Sequence, residues 1–338
     1  MPLNLLARAK SKFKSFINLR STSSIIKDES KFLVAQLESS GMITDEEVLH
    51  YSIISMKDKY PKFEKALKFP LAAKEYTLPS STCNGLVLVF VRERYGRPTR
   101  EALWNPTTSE FKTLPPAPSS FDNRYLKMSQ GYFGFGFDSA SEDYKVIRLL
   151  KRKTEHCYAP QAVMAELYSL TTDSWKQFSL VHPCIPRNPG VHVNGTYYWL
   201  TLFYPCFIMS FDFATEKFAS SLIPAPPSEE LNTRNAYHDN IKLVEYCGLL
   251  GAMVISSLDR WPSSLEALRS LEIWVWDGSW SLVSTLTVPY AVDLKSLVGT
   301  EKLIYLGLKK LMLFDCATSK LEESSQIKHP DGTITFFT

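Results

Sequence analysis

Residues 101–150 read EALWNPTTSEFKTLPPAPSSFDNRYLKMSQGYFGFGFDSASEDYKVIRLL, and two hairpins can be read from them. Ala102, Leu103 and Trp104 run into Asn105-Pro106-Thr107-Thr108, where proline presets φ for a turn and asparagine can bond its own backbone. Phe111, Thr113 and Leu114 leave on a second strand, and Pro115-Pro116 ends it because proline has no N–H for a ladder. Further on, Phe133, Phe135 and Phe137 alternate with Gly134 and Gly136, which puts three rings on one face at the two-residue period of a strand. Gly134 and Gly136 leave room for close packing there. Ser139 to Asp143 turn the chain and Tyr144 to Leu150 return it.

The same hairpin grammar recurs at 167–178, 209–220, 273–283 and 311–324. The residue just after each turn is Phe111, Trp175, Phe218, Trp280 and, less clearly, Leu321 in succession, and the four aromatics are expected to pack in the core. Between the hairpins lie strands of a second kind, 83–90, 193–200, 246–256 and 302–308, most opening on Asn-Gly or Gly. A strand of that kind followed by a hairpin turning on Asp or Thr is a blade-like unit. Radial four-stranded blades protect nearly every sheet edge. Unrelated hairpins in a β-sandwich are the alternative. Blade number does not follow from these spacings.

Composition narrows the class. The chain has 338 residues, 45% hydrophobic and 13% aromatic, enough for one large or two ordinary cores. Its net charge of +3 gives no electrostatic case for nucleic acid. The longest apolar run, Cys247 to Leu258, is too short and interrupted to span a bilayer, and no apolar segment after the start reads as a secretory signal. Six dispersed cysteines (Cys83, Cys157, Cys184, Cys206, Cys247, Cys316) without a C-x-x-C suggest buried thiols in a reducing cytoplasmic or nuclear setting. Asn194-Gly-Thr matches a glycosylation acceptor but reads better as a hairpin turn; Asn105-Pro-Thr is excluded by its proline.

No phosphate-binding loop, nucleophile elbow, H-E-x-x-H or paired-cysteine pattern occurs, and no catalytic residue, cofactor or metal is expected. His182, Cys184, His192 and Cys206 could be imagined as a metal set, but their spacing fits no standard pattern; a loop histidine and buried thiols fit better. Asp138, Asp143, Asp173, Asp212, Asp277 and Asp315 lie in or beside turns, where carboxylates accept backbone hydrogen bonds. Recognition residues are expected on the long connections 117–130, 182–191, 225–240 and 258–270, with Arg124, Tyr125, Arg187, Arg234, Tyr237, Arg260 and Trp261 as candidates. A propeller enzyme or sugar-binding protein remains an alternative, and would need carboxylates or histidines converging at one mouth.

Residues 1–20 differ from the rest, with Arg8, Lys10, Lys12, Lys14 and Arg20 and no acidic residue. Leu5, Leu6, Ala9, Phe13, Phe16 and Ile17 share one helical face. A transit peptide, a solvated basic helix and a fragment of a known domain compete. Pro2, Leu6, Arg8, Lys10, Lys14 and Ser15 match the second half of a plant F-box, with Phe16 in place of its Trp. Ala9, Ser11, Lys12 and Phe13 depart from that pattern, and its opening Leu-Pro-x-Asp/Glu helix has no counterpart; an upstream start is one explanation. Residues 17–37 look like the segment after the box in S-locus F-box-like proteins, and from Cys83 onward the chain resembles the F-box-associated domain of the same plant family. The likeness rests on Cys83-Asn84-Gly85-Leu86, Leu103-Trp104-Asn105-Pro106, Gly134-Phe135-Gly136-Phe137-Asp138, Asp143-Tyr144-Lys145-Val146, Ser174-Trp175, Phe211-Asp212 and Glu272-Ile273-Trp274 with Trp280.

The resemblance implies an all-β, kelch-like β-propeller preceded by a short helical F-box remnant. It divides the chain into a partial F-box (1–20), N-terminal strands and connector (21–82) and the propeller (83–335), with 57–74 as the connector. Lys31 to Leu37 and Glu47 to Ser55 alternate as strands. The function implied is target recognition for an SCF-type ubiquitin ligase, or a stand-alone binding propeller if the F-box is too incomplete to recruit it. Pro2, Leu5, Leu6, Phe13 and Phe16 would face a Skp-type adaptor and, through it, a cullin. The target is a protein, with a ribonuclease offered by the S-locus likeness.

Overall fold

The computed structural model describes residues 31–38, 48–57, 60–67, 75–93, 100–121, 132–151, 163–180, 186–201, 205–231, 240–255, 268–289, 293–296, 302–306, 311–315, 320–323 and 335–336, with side chains for most of those between 81 and 287. Among them, six antiparallel sheets succeed one another along the chain. The first holds β1 (Lys31–Glu38), β2 (Val48–Lys57) and β3 (Tyr60–Leu67). The second is β4 (Glu75–Cys83), β5 (Leu86–Glu93), β6 (Arg100–Trp104) and β7 (Phe111–Thr113); the third is β8 (Tyr132–Asp138), β9 (Asp143–Lys151), β10 (Val163–Ser169) and β11 (Ser174–Leu180).

In the fourth, β12 (Pro186–Val193), β13 (Thr196–Thr201) and β14 (Phe207–Asp212) are followed by a broken outer strand, β15 (Lys217–Phe218) and β16 (Ile223–Pro224), both paired with β14. The fifth contains β17 (Ile241–Tyr246), β18 (Leu249–Ile255), β19 (Leu268–Trp276) and β20 (Trp280–Pro289). The sixth contains β21 (Asp293–Ser296), β22 (Lys302–Leu306), β23 (Leu311–Asp315) and β24 (Lys320–Glu323). A last strand, β25 (Thr335–Phe336), returns to the first sheet and pairs with β1, Val34 opposite Phe336 and Ala35 opposite Thr335.

Each sheet is a plain meander, and the leading strands β4, β8, β12, β17 and β21 pack one against the next. That is the arrangement of a β-propeller, with both ends of the chain sharing one blade. The sequence division at Cys83 falls at the end of β4, after the whole of β1–β3. Within the stretch read as a connector, 57–74, the structure places β3; Tyr60-Pro61-Lys62-Phe63 alternates too weakly to announce a strand, and its pairing with β2 is what defines it.

Sheets stack face to face, so period-two alternation sends successive residues of one strand into two different cores. Val146 of β9 joins Phe133, Phe135 and Tyr168 against Leu88, Phe90 and Leu103 of the second sheet. Its neighbour Ile147 joins Leu149 and Leu167 against Tyr197, Trp199 and Phe211 of the fourth. Burial on both faces is why apolar residues stand side by side on β9, as Val146-Ile147 and Leu149-Leu150 do. Phe137 packs against the same cluster as Phe133 and Phe135, so the three rings do share a face.

Gly134 and Gly136 sit where side chains of the fourth sheet press against the third. A Cβ on Gly136 would lie 2.2 Å from a Phe213 ring carbon, and one on Gly134 would lie 2.7 Å from the Trp199 ring. Alternation with phenylalanine therefore serves packing, as expected. The residues after the turns form cross-strand pairs with the residues before them: Tyr168 with Trp175, Phe211 with Phe218, Trp276 with Trp280. Two of these tryptophans also reach the sheet before their own. Trp175 Nε1 donates to Pro115 O and Trp280 Nε1 to Pro224 O, both at 2.7 Å. The same staple thus recurs at two joints.

Candidate interaction face

The meander sorts every connection onto one of two faces. Turns between first and second strands, and between third and fourth, gather at one end of the sheets; connections between second and third strands, and from sheet to sheet, gather at the other. On the first face the chain turns tightly. Asn84-Gly85, Asn194-Gly195 and Cys247-Gly248 each have positive φ at both residues (46° and 81°, 46° and 81°, 49° and 80°), the type I′ hairpin that suits strand twist. Asn194 also donates its side-chain amide to Gly248 O of the next sheet at 2.6 Å, so this residue of the N-G-T triplet serves as a turn and a link.

The turns between third and fourth strands are built on side-chain acceptors. Asn105 Oδ1 accepts from Thr107 N at 2.9 Å, and Asp212 Oδ1 from Thr215 N at 2.6 Å. Asp143 accepts from Thr171 N in the β10–β11 turn, and in the third sheet the β8–β9 turn, between first and second strands, is built the same way, with Asp138 accepting from Ala140 N and Ser141 N. These carboxylates behave as turn-builders. Several bind neighbouring blades as well. Lys145 Nζ, 7% exposed, donates to Asp138 at 2.9 Å on its own sheet and to Glu216 and Phe213 O on the fourth. Lys112 of the second sheet reaches Asp173 of the third at 3.0 Å.

Burial opposes ionisation of Asp138, but donors from Ser141, Lys145 and the Ala140 and Ser141 amides outweigh it and hold the carboxyl at about 2. His192 lies beside Cys83, Nδ1 to Sγ 3.7 Å, and its Nε2 accepts from Gly195 N. Burial pushes the imidazole down to about 4 and the thiol up to about 12, so the pair is neutral. His182 and Cys184 lie outside the described residues. Cys206 donates toward Thr201 O, and no group of three or more metal-ligating side chains occurs among the described residues.

The opposite face carries the long connections. The segments 117–130, 225–240 and 258–270 all leave strand ends there. So does the start of 182–191, although β12 already begins at Pro186 and Arg187 is paired with Leu200 in it. Arg187 is described as backbone only. Arg124, Tyr125, Arg234, Tyr237, Arg260 and Trp261 lie outside the described residues, as do Pro2, Leu5, Leu6, Phe13 and Phe16.

At the root of the 117–130 connection is a buried polar cluster. Glu166 on β10 is fully buried; its oxygens accept from Ser119 N at 2.8 Å and from Ser119 Oγ at 2.7 Å. Arg148 on β9 donates to the same Ser119 Oγ at 2.8 Å and to Glu101 on β6 at 3.3 Å, and its Nε lies 3.5 Å from Glu166. Burial, only partly offset by Arg148, raises the Glu101 carboxyl above its ordinary value. Four residues from two sheets and their connector are therefore fixed together. Sequence reasoning passed over them because strand charges usually point outward. The signal was there in phase: Arg148 directly follows buried Ile147, and Glu166 is flanked by Ala165 and Leu167, which are buried too.

One stitched, tight-turn face and one face of long connections thus mark the two ends of the propeller. Residues 40–247 match the family described as the F-box associated beta propeller domain, and the chain belongs to it. It is 28% identical over 248 residues to F-box protein CPR1 of Arabidopsis thaliana, covering 66% of this chain and 56% of that one. An F-box/LRR-repeat/kelch-repeat protein of the same plant is 32% identical over 145 residues, or 42% and 38% of the two chains. The chain thus spans little more than half of the first relative's length and less of the second's. Among solved structures, TolB from Acinetobacter baumannii superposes with a TM-score of 0.47 at 10% identity, over 90% of this chain and 65% of that one.

Proposed function

We propose that this chain is the target-recognition part of an SCF-type E3 ubiquitin ligase, binding a protein on its long-connection face rather than catalysing a reaction. Membership of the F-box associated propeller family carries the reading. The division of faces supports where the target docks: the tight turns are occupied in holding blades together, and the long connections are left for recognition. Arg124, Tyr125, Arg187, Arg234, Tyr237, Arg260 and Trp261 are the contacts to examine first. Residues 1–20 would supply the adaptor contact through Pro2, Leu5, Leu6, Phe13 and Phe16, linking the propeller to a Skp-type protein and a cullin. Its place of work would be the cytoplasm or nucleus, where dispersed cysteines without a C-x-x-C stay reduced. A ribonuclease is the candidate target that the S-locus likeness offers.

The test is a pull-down of the 338-residue chain with purified Skp-type adaptor, beside a version given a complete F-box start. Retention of both supports the ligase reading. Retention of the extended version alone supports a binding propeller that does not recruit the ligase as it stands. If neither is retained, the ligase assignment fails.

A further inference from the structure

The outer strands of the blades are not alike. β7 is three residues long, and β15 and β16 are two residues each with a break between them. β11 carries Lys176, 67% exposed. β24 reads KLEE, and β3 contains Pro61, Lys62, Glu64 and Lys65. Shortness, breaks, proline and charge are the devices by which edges avoid pairing with other chains. β20 lacks most of them. It runs ten residues, WSLVSTLTVP, inside a stretch with no charged residue from Gly278 to Val292. No strand among the described residues pairs with its outer edge. Leu282 and Val283 are 49% and 43% exposed, and Thr285 and Thr287 are exposed too.

Its one irregularity is a bulge: Ile273 faces Ser284 and Trp274 faces Leu282, leaving Val283 over. From Ser284 to Pro289 the pairing with β19 is regular. This run is self-complementary. With a two-fold axis at Thr285, each Thr285 faces its own copy and Ser284 faces Leu286, while Thr287 meets the β-branched Val283 at the bulge that ends the run. Threonine and β-branched cross-strand pairs are favourable, and no like charges meet.

We propose that the edge of β20 is a self-association surface, on which a second copy of the chain pairs antiparallel through the same strand. Adding one strand edge buries less than a standard stable interface, so the dimer should be a weak one that forms with concentration. Sedimentation equilibrium of the full chain from about 1 µM to about 100 µM should show a mass rising toward twice the 38.4 kDa of one chain. Thr285→Lys and Thr285→Glu each place like charges opposite at the axis and should each remain monomeric; because Thr285 also faces Glu272 on β19, the Glu variant should unfold at a slightly lower temperature than the unchanged chain and the Lys variant should not. An equimolar mixture of the two should associate again, which a folding defect would not produce.

A mass that stays at one chain throughout, association that survives Thr285→Lys, or a mixture no better than either variant alone would overturn the proposal. So would a monomeric chain that binds a synthetic peptide copying residues 280–289, since the edge would then belong to a foreign strand.

Discussion

The two faces of this propeller are made of the same strands yet carry opposite duties. On one, two-residue I′ turns and Asx-type turns spend their polar atoms on their own backbone and on the neighbouring blade, as Lys145 does between Asp138 and Glu216. On the other, the chain runs long between strands, and the polar atoms that are fixed lie beneath it, at Glu101, Ser119, Arg148 and Glu166. Rigidity is distributed differently as a result. One face is stiff at its surface; the other is stiff one layer down, which leaves its surface sequence freer to differ from protein to protein.

If that contrast is right, Glu166→Ala should be the most damaging change among these contacts. It strips Ser119 of its acceptor and leaves Arg148 buried with one carboxylate fewer, a loss of about 3–5 kcal/mol by comparison with other broken buried pairs. Thermal unfolding would read the loss, and hydrogen exchange should report it first around Ser119.

Acid separates the faces by sign. Asp138, held at about 2 against an ordinary 3.8, gives stability that is complete above about pH 4 and lost as pH falls to about 2, on the order of 2 kcal/mol. His192, held at about 4 against 6.5, favours the folded state above pH 6.5 and progressively less toward 4. Glu101 acts oppositely: with its carboxyl raised, the folded state takes up this proton before the unfolded state, favouring folding as pH falls toward 4.5. Protection factors, corrected for the intrinsic slowing of amide exchange in acid, should therefore fall around Asn194-Gly195 before they fall around Glu101 as pH is lowered from 7 to 3, and equal change on both faces would break the contrast.

A smaller test lies at the joints. Trp175→Phe keeps the ring against Tyr168 but removes the donor to Pro115 O, for about 1 kcal/mol in a denaturant melt. The smallest expected effect is Lys176→Ala, which removes an exposed pair with Glu216 and should stay within about 0.5 kcal/mol, since Lys145 still holds that carboxylate.

Much of this architecture can be read from the sequence where its causes are local. Asn105, Asp138 and Asp212 announce their turns because the side chain bonds backbone two or three residues away. The alternation of Phe133, Phe135 and Phe137 announces a strand for the same reason. The first blade was less legible, since β25 meets β1 across almost the whole chain and nothing in Thr335-Phe336 names its partner. The buried cluster was hidden by a different rule: whether a strand charge faces water depends on the adjoining sheet. Pro115 and Pro224 show a third kind of limit. Proline marks where a strand stops, but its role as acceptor for a tryptophan on the next blade exists only once the sheets are stacked.

The blade shared by the two chain ends is also the fastening of the ring. Among the described residues it is clasped by two residue pairs between β25 and β1, whereas β1 and β2 share eight. A closed circle of stacked units is released as a whole only when every joint fails, but it becomes an open stack as soon as its shortest clasp slips, and an open stack can then lose units one at a time from its ends. Among the described residues the durability of the ring therefore hangs on a two-residue clasp, and Thr335 and Phe336 govern whether the other blades share their stability or hold it separately.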